Sequence, residues 1–193
     1  LVSLISGRLA PTSGSVEFQD QDITSVPAWQ RVRLGIAYTF QITSIYPRLS
    51  VAENVAIAAN GIGRGNTESR IGAILSRVSL AGRSDEIAGR LAYGHQRLLE
   101  VAMGLALEPR VLILDEPTQG LSDSEILQFC DLVRDIARDA TILLIEHNMQ
   151  VVMSLAGRIT VLERGRVLAD GPPEEIRANA AVQTAYLGGG EDA

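Results

Sequence analysis

The sequence predicts an α/β fold: a parallel sheet core covered by helices, with a helical subdomain inserted into it. Three observations carry this expectation. Residues 111–114 and 141–145 are strand-length, almost wholly apolar runs, the pattern of strands buried on both faces. Segments of helical period stand before the first run, at 97–107, and between the two, at 123–138. Strand–helix–strand alternation is what parallel pairing requires. From about residue 48 to 90 the apolar residues instead recur at helical spacing, with no strand-like run. The α/β core therefore comprises 1–47 and 91–193, and 48–90 is the helical subdomain.

The elements follow in order. Leu1, Leu4 and Ile5 mark one face of a helix that Gly7 stops. Nothing caps its beginning, so it reads as the second half of a helix. Pro11-Thr12-Ser13-Gly14 is a turn and 16–18 a short strand. Asp22-Ile23-Thr24 and Pro27 lead into a short helix through Trp29 and Val32. Residues 35–40 form an apolar strand that ends at Gln41. After Pro47, Ser50 caps a helix opening at Val51, and Glu53 completes a capping box. Residues 61–66 are Gly-rich and polar, a loop, and 68–78 is a helix with Ile71, Leu75 and Val78 on one face. In the second half, the helix over 123–138 turns Ile126, Phe129, Cys130 and Val133 inward, and 148–155 is helical. Residues 158–162 and 167–169 flank Arg164-Gly165 as a hairpin. Pro172 opens a helix, and Gly188-Gly189-Gly190-Glu191 reads as a flexible tail.

Composition narrows the function. A chain of 193 residues is one ordinary domain, or one domain plus a small inserted subdomain, able to bury roughly 70% of its unfolded surface. Basic residues number 17 against 23 acidic, a net charge of −6, which argues against nucleic acid as a partner. All 17 are Arg; the chain contains no Lys. Cys130 is the single cysteine, so no internal disulfide is possible, and two His with one Cys are too few for a structural zinc site. No apolar run reaches about 18 residues, and the opening residues lack the basic region and cleavage pattern of a signal peptide.

Four places carry chemistry. Val111-Leu112-Ile113-Leu114 ends abruptly in Asp115-Glu116. Ligands of open α/β sheets bind beyond the carboxyl ends of strands. Asp115 there can hold Mg²⁺ through its water shell, and Glu116, one step further out, can orient or deprotonate an attacking water. The plainer reading is two acids ending a strand in solvent. Leu91-Ala92-Tyr93-Gly94-His95-Gln96 precedes a helix, and a Gly before a helix N-terminus makes either an anion site or a simple cap. His147 follows the apolar strand at 141–145; it can donate to a phosphate, or it is structural. Gln41 ends its strand and can offer an amide oxygen to a metal or water; alone it is an ordinary loop residue.

In this order and spacing, the four resemble the ATP-binding cassette subunits of ABC transporters over essentially the whole chain. Gln41 resembles the family's Q-loop, Leu91 to Gln96 its signature, Asp115-Glu116 its Walker B acid and catalytic Glu, and His147 its switch His. Gly120-Leu121-Ser122-Asp123 resembles the D-loop, with Ser122 where Asp is usual. Leu-Ala-Tyr-Gly in the signature, Thr39-Phe40-Gln41, Ile145-Glu146-His147-Asn148-Met149 and Ala185-Tyr186-Leu187-Gly188 are similar to the cassettes of branched-chain amino acid importers. Related urea and short-amide importers share many of these features. Ala92 replaces the signature Ser, and His95 stands where Gln is usual.

The resemblance implies a P-loop-NTPase-like fold with ATP and Mg²⁺ bound. It also implies a second cassette, identical or different, as dimer partner, together with membrane-spanning permease subunits and, indirectly, a solute-binding protein. The location would be cytoplasmic, peripheral on the inner face of the membrane. The family's G-x-x-x-x-G-K-[ST] phosphate cradle is not in these residues, and in relatives the segment from Leu1 to Gly7 follows it directly. The expectation is thus a chain truncated just after that motif and inactive by itself. A degenerate, non-hydrolysing cassette that dimerises or regulates is the alternative. A nucleic-acid ATPase of the same fold is disfavoured by the net charge.

Overall fold

The computed structural model describes residues 1–39, 44–61, 63 and 68–187. Most of the expected 61–66 loop, the end of the 35–40 strand with Gln41, and the tail from Gly188 lie outside them. The chain forms two compact units, Leu1–Ile145 and Glu146–Ala193.

The first unit is built on a three-stranded parallel sheet of β3 (Ile36–Thr39), β4 (Val111–Asp115) and β5 (Thr141–Ile145), in that order with β4 central. Register is continuous: Tyr38 lies opposite Ile113, and Asp115 opposite Ile145. Strand alternation assigns the two faces. Ile36, Tyr38, Val111, Ile113, Leu143 and Ile145 share one face with Val2, Ile5 and Ile23. On the other face α5 (Tyr93–Ala106) approaches so closely that a Cβ on Gly104 would stand 3.0 Å from Leu112 and 3.7 Å from Thr39. Helical cover on a parallel sheet is the expected architecture, and it is present.

The helix α1 (Val2–Ile5) is followed by Gly7 at φ 77, the left-handed conformation that stops a helix. The strands β1 (Glu17–Phe18) and β2 (Gln21–Asp22) form a hairpin whose two turn residues, Gln19 and Asp20, both have positive φ. The sequence reading lacks β2. Its two residues are polar and exposed, and Gln-Asp is not the Asn-Gly or Asp-Gly signal of such turns.

The helix α2 (Ala28–Leu34) contributes Arg31, a cation 1% exposed. Its guanidinium donates to five backbone carbonyls: Val26 at 2.8 Å, Leu4 at 2.6, Ile5 at 2.9, Ile23 at 2.6 and Thr24 at 3.0. All five N–H donors of the side chain are thereby used.

Within the expected helical subdomain lie α3 (Val51–Gly61) and α4 (Glu68–Arg77), both packed on α5. The Ser50–Glu53 capping box is formed as the sequence predicts. Buried Asn54 pins the approach to α3, accepting from Tyr46 N and donating to the Tyr46 and Ser50 carbonyls. The segments leading in and out lie side by side, with Val51 N bonded to Glu86 O and Ala88 N to Leu49 O. From α4, Arg77 reaches Asp135 and Asp139 at 2.6 Å each, at the end of α6 (Asp123–Ile136).

The second unit holds α7 (Met149–Leu155), the antiparallel pair β6 (Ile159–Glu163) and β7 (Arg166–Gly171), α8 (Pro173–Ala178) and α9 (Ala180–Leu187). Ile159, Val161, Ala169, Ile176 and Val182 form its core. Among the described residues, no helix is long and apolar enough to cross a membrane.

Candidate functional site

Because β3, β4 and β5 are parallel, their carboxyl ends lie along one edge of the sheet. The central strand buries Leu112, Ile113 and Leu114 completely and then presents two half-buried acids. Asp115 falls on the face of Ile113. Tyr38, the register partner of Ile113, shares that face and donates its hydroxyl to Asp115 Oδ2 at 2.6 Å. Burial first, and then this bond, push the Tyr38 hydroxyl up to about 12. The Arg8 guanidinium stands 5.8 Å from the centre of the Tyr38 ring.

Glu116 takes a left-handed backbone conformation, φ 46, while its N–H donates to Ile145 O at 2.9 Å. The ladder between the two strands thus gains one more bond as the chain turns off the sheet. For a residue with a Cβ this conformation costs about 1–2 kcal/mol. Pro117 and Thr118, both buried, anchor the turn, and Leu121 N returns to Thr118 O.

Gly120, at φ 78, lies against Tyr93: a Cβ on it would stand 3.0 Å from the ring edge. Ser122 caps α6 in a reciprocal box. Its N–H and hydroxyl donate to Glu125 Oε2 at 2.8 and 2.7 Å, and Glu125 N donates back to Ser122 Oγ. The Ser122 backbone and hydroxyl bonds hold the Glu125 carboxyl below the usual carboxylate range, and the charge of His95 acts in the same direction. A Cβ on Gly94 would collide with the Glu125 carboxylate. A side chain at Gly94 would therefore push the end of the Glu125 side chain out of its bonds to Ser122.

The helix α5 begins at Tyr93, four residues before the expected start at 97. Its N-cap, Ala92, offers no side-chain acceptor, which is why the sequence carries no start signal there. Tyr93, Gly94 and His95 make up the first turn, with backbone N–H groups that no capping side chain takes. Such groups suit an anion. Leu91 is buried and accepts from Gln96 Nε2 at 3.0 Å, closing the segment on itself.

The structure thus brings the sequence-predicted residues into two groups in the first unit. Asp115 and Glu116 stand at the central strand end, joined by Tyr38. Leu91 to Gln96 meets Gly120, Leu121, Ser122 and Asp123 through Tyr93, Gly94 and Glu125. His147 belongs to the second unit and is exposed, its N–H on Glu146 Oε2 at 3.1 Å; Asn148 then caps α7. Gln41 lies outside the described residues. Two participants were missed in the sequence. Tyr38 is a polar aromatic in an apolar strand, a weak signal. Glu125 completes Ser-x-x-Glu, a readable capping-box pattern.

Among the described residues no three His, Cys, Asp or Glu side chains form a cage for a metal. A single strand-end carboxylate suits Mg²⁺, which keeps most of its waters and binds one or two carboxylates with substrate phosphates. Asp115 fits that chemistry.

The family described as ABC transporter matches residues 1–119, and one described as Branched-chain amino acid ATP-binding cassette transporter matches 166–192. The high-affinity branched-chain amino acid transport ATP-binding protein LivG of Escherichia coli (strain K12) is 34% identical, covering 95% of this chain and 80% of LivG. BraF of Pseudomonas aeruginosa, of the same description, is 34% identical with the same coverage. The lipopolysaccharide export system ATP-binding protein LptB of Acidithiobacillus ferridurans is 32% identical over 96% of this chain and 78% of its own. The crystal structure of the ADP conformation of MJ1267, an ATP-binding cassette of an ABC transporter, superposes with a TM-score of 0.85 at 25% identity, covering 97% of this chain and 82% of that one.

Proposed function

The chain belongs to the ABC transporter ATP-binding family, and on that premise we propose that it is the ATPase subunit of an importer of branched-chain amino acids or related small polar solutes. The observation that carries this is Asp115-Glu116 at the carboxyl end of the central strand, with Glu116 swung off the sheet by its left-handed backbone. The names of LivG and BraF, and the branched-chain cassette match at 166–192, support the solute class. The similar identity to LptB, named for an export system, fits a solute chosen by other subunits.

Asp115 would hold Mg²⁺ through water. Bound there, Mg²⁺ supplies charge neutralisation on the phosphate oxygens of ATP. Glu116 orients the attacking water and takes its proton. Gln41 offers its amide oxygen toward metal or water, and His147 donates to the phosphate. The first turn of α5, with Ala92 and Gly94, faces ATP held by a second cassette, and Gly120 to Asp123 lies at that dimer contact. The permease docks on the helical subdomain near Tyr46, which is 48% exposed. The working position is the cytoplasmic face of the membrane.

These 193 residues contain no Lys and no Gly-x-x-x-x-Gly-Lys motif, so by themselves they are expected not to hydrolyse ATP. The test extends the chain in frame with such a motif. Turnover should appear, and Glu116→Gln should lower it at least a hundredfold with ATP binding retained. Near-normal turnover in Glu116→Gln sinks the role given to Glu116. A second reading is a cassette that dimerises without hydrolysing. An extended chain that pairs and binds ATP but never turns it over would establish that instead.

A further inference from the structure

We propose that Tyr38 is a positioning residue for Asp115: its hydroxyl occupies Oδ2, fixes the carboxylate's rotation and leaves Oδ1 as the atom offered to a divalent cation. This rests on the reading that Asp115 holds the cation. A carboxylate at a strand end rotates about two side-chain bonds, and a water-mediated cation contact needs one oxygen held in place. The Tyr38 arm is well suited to hold it. Its ring packs in the cluster of Ile23, Ile36 and Ile113, so its direction is set by the core. Parallel register puts it opposite Ile113, two residues before the acid, and its hydroxyl closes the remaining gap at 2.6 Å. Arg8, in the turn after α1, stands over the same ring at 5.8 Å.

The chemistry of the donor matters. A phenol is neutral, so it satisfies one oxygen without cancelling the carboxylate's charge. An Arg or Lys there would form an ion pair and compete with the metal. Tyr38 orients Asp115 and leaves its charge for the cation. The effect reaches chemistry only through Asp115.

The experiment compares wild type, Tyr38→Phe and Asp115→Asn, each expressed from the chain's own gene with any residues encoded ahead of Leu1. Protein-bound Mn²⁺ is read by electron paramagnetic resonance with ATP present, against the signal of the same Mn²⁺ and ATP without protein, because ATP itself chelates the ion. Tyr38→Phe keeps the ring and its packing and should raise the Mn²⁺ dissociation constant about five- to tenfold, the worth of one hydrogen bond. ATP binding in EDTA should be unchanged. Incorporated 3-fluorotyrosine, which keeps the hydroxyl, should restore Mn²⁺ affinity to within twofold of wild type. Asp115→Asn should lose Mn²⁺ binding outright. If Asp115→Asn binds Mn²⁺ normally, or wild type does not bind it, the metal reading of Asp115 falls and the role of Tyr38 with it. If Asp115→Asn loses Mn²⁺ while Tyr38→Phe stays within twofold of wild type, Tyr38 alone is misassigned.

Discussion

Replacing Arg31 by Met should destabilise the fold by about 3–5 kcal/mol, the range for breaking a buried charged network from one side. Met keeps most of the apolar stem and removes all five donors. Their five acceptors are not equally exposed to the loss. Leu4 O keeps a second donor in Gly7 N, and Ile23 O keeps Val26 N. Among the described residues the carbonyls of Ile5, Thr24 and Val26 accept from Arg31 alone. Three orphaned carbonyls at about 1–3 kcal/mol each set the scale, and water entering the vacated space brings the sum toward the lower end. Relief from burying a bare cation offsets part of the cost. Arg31→Lys should recover little, because one ammonium with three donors cannot reach carbonyls spread from Leu4 to Val26. The assay is urea unfolding followed by far-ultraviolet circular dichroism, with the midpoint falling and the slope unchanged. A change below 1 kcal/mol in Arg31→Met would show that the five bonds merely replace water, and the reasoning fails.

Three further outcomes are expected. Gly94→Ala drives its methyl into the Glu125 carboxylate and breaks the box at Ser122, so stability should fall by about 1–2 kcal/mol; a thermal scan matching wild type refutes the packing role of this glycine. The Glu125 carboxyl is held below its unfolded value, so its contribution is present above the unfolded range and lost as pH falls through the folded one; Glu125→Gln should flatten the loss of stability between about pH 5 and 3, and an unchanged acid limb in urea titrations would count against it. Arg77→Ala should loosen α4 from the end of α6 at a cost of about 0.5–1 kcal/mol that shrinks in 1 M salt, measured by hydrogen exchange of α4 amides.

Much of the core was legible because its signals are one-dimensional. Strand β4 announces itself by an unbroken apolar run and an abrupt acidic end, and the same residues form both the buried centre and the candidate site. Helix α3 is written out by Ser50 and Glu53. What stayed hidden depends on partners far along the chain. Arg31 looks like one more surface cation on a short helix; its burial comes from carbonyls at 4, 5, 23, 24 and 26 that no pattern connects to it. Tyr38 gains its role only when pairing with β4 sets Asp115 two residues beyond its partner. The start of α5 was misplaced because Ala92 caps nothing, and Gly94 inside a first turn resembles a break. The D-loop segment was legible by resemblance, but its contact with Gly94 through Glu125 needed the two helix starts to be seen together.

The backbone at Glu116 has a bearing on how this chain would respond to laboratory evolution. At φ 46 the local conformation favours Gly or Asn over any larger side chain. Glu116→Gly should therefore raise the unfolding free energy by up to about 1 kcal/mol, with the bond to Ile145 O retained. A screen that rewards heat resistance alone would then select against the one carboxylate proposed to handle water, and its winners would be sturdier and inert. Selection for transport works in the opposite direction, keeping a strained acid at the cost of a calmer turn.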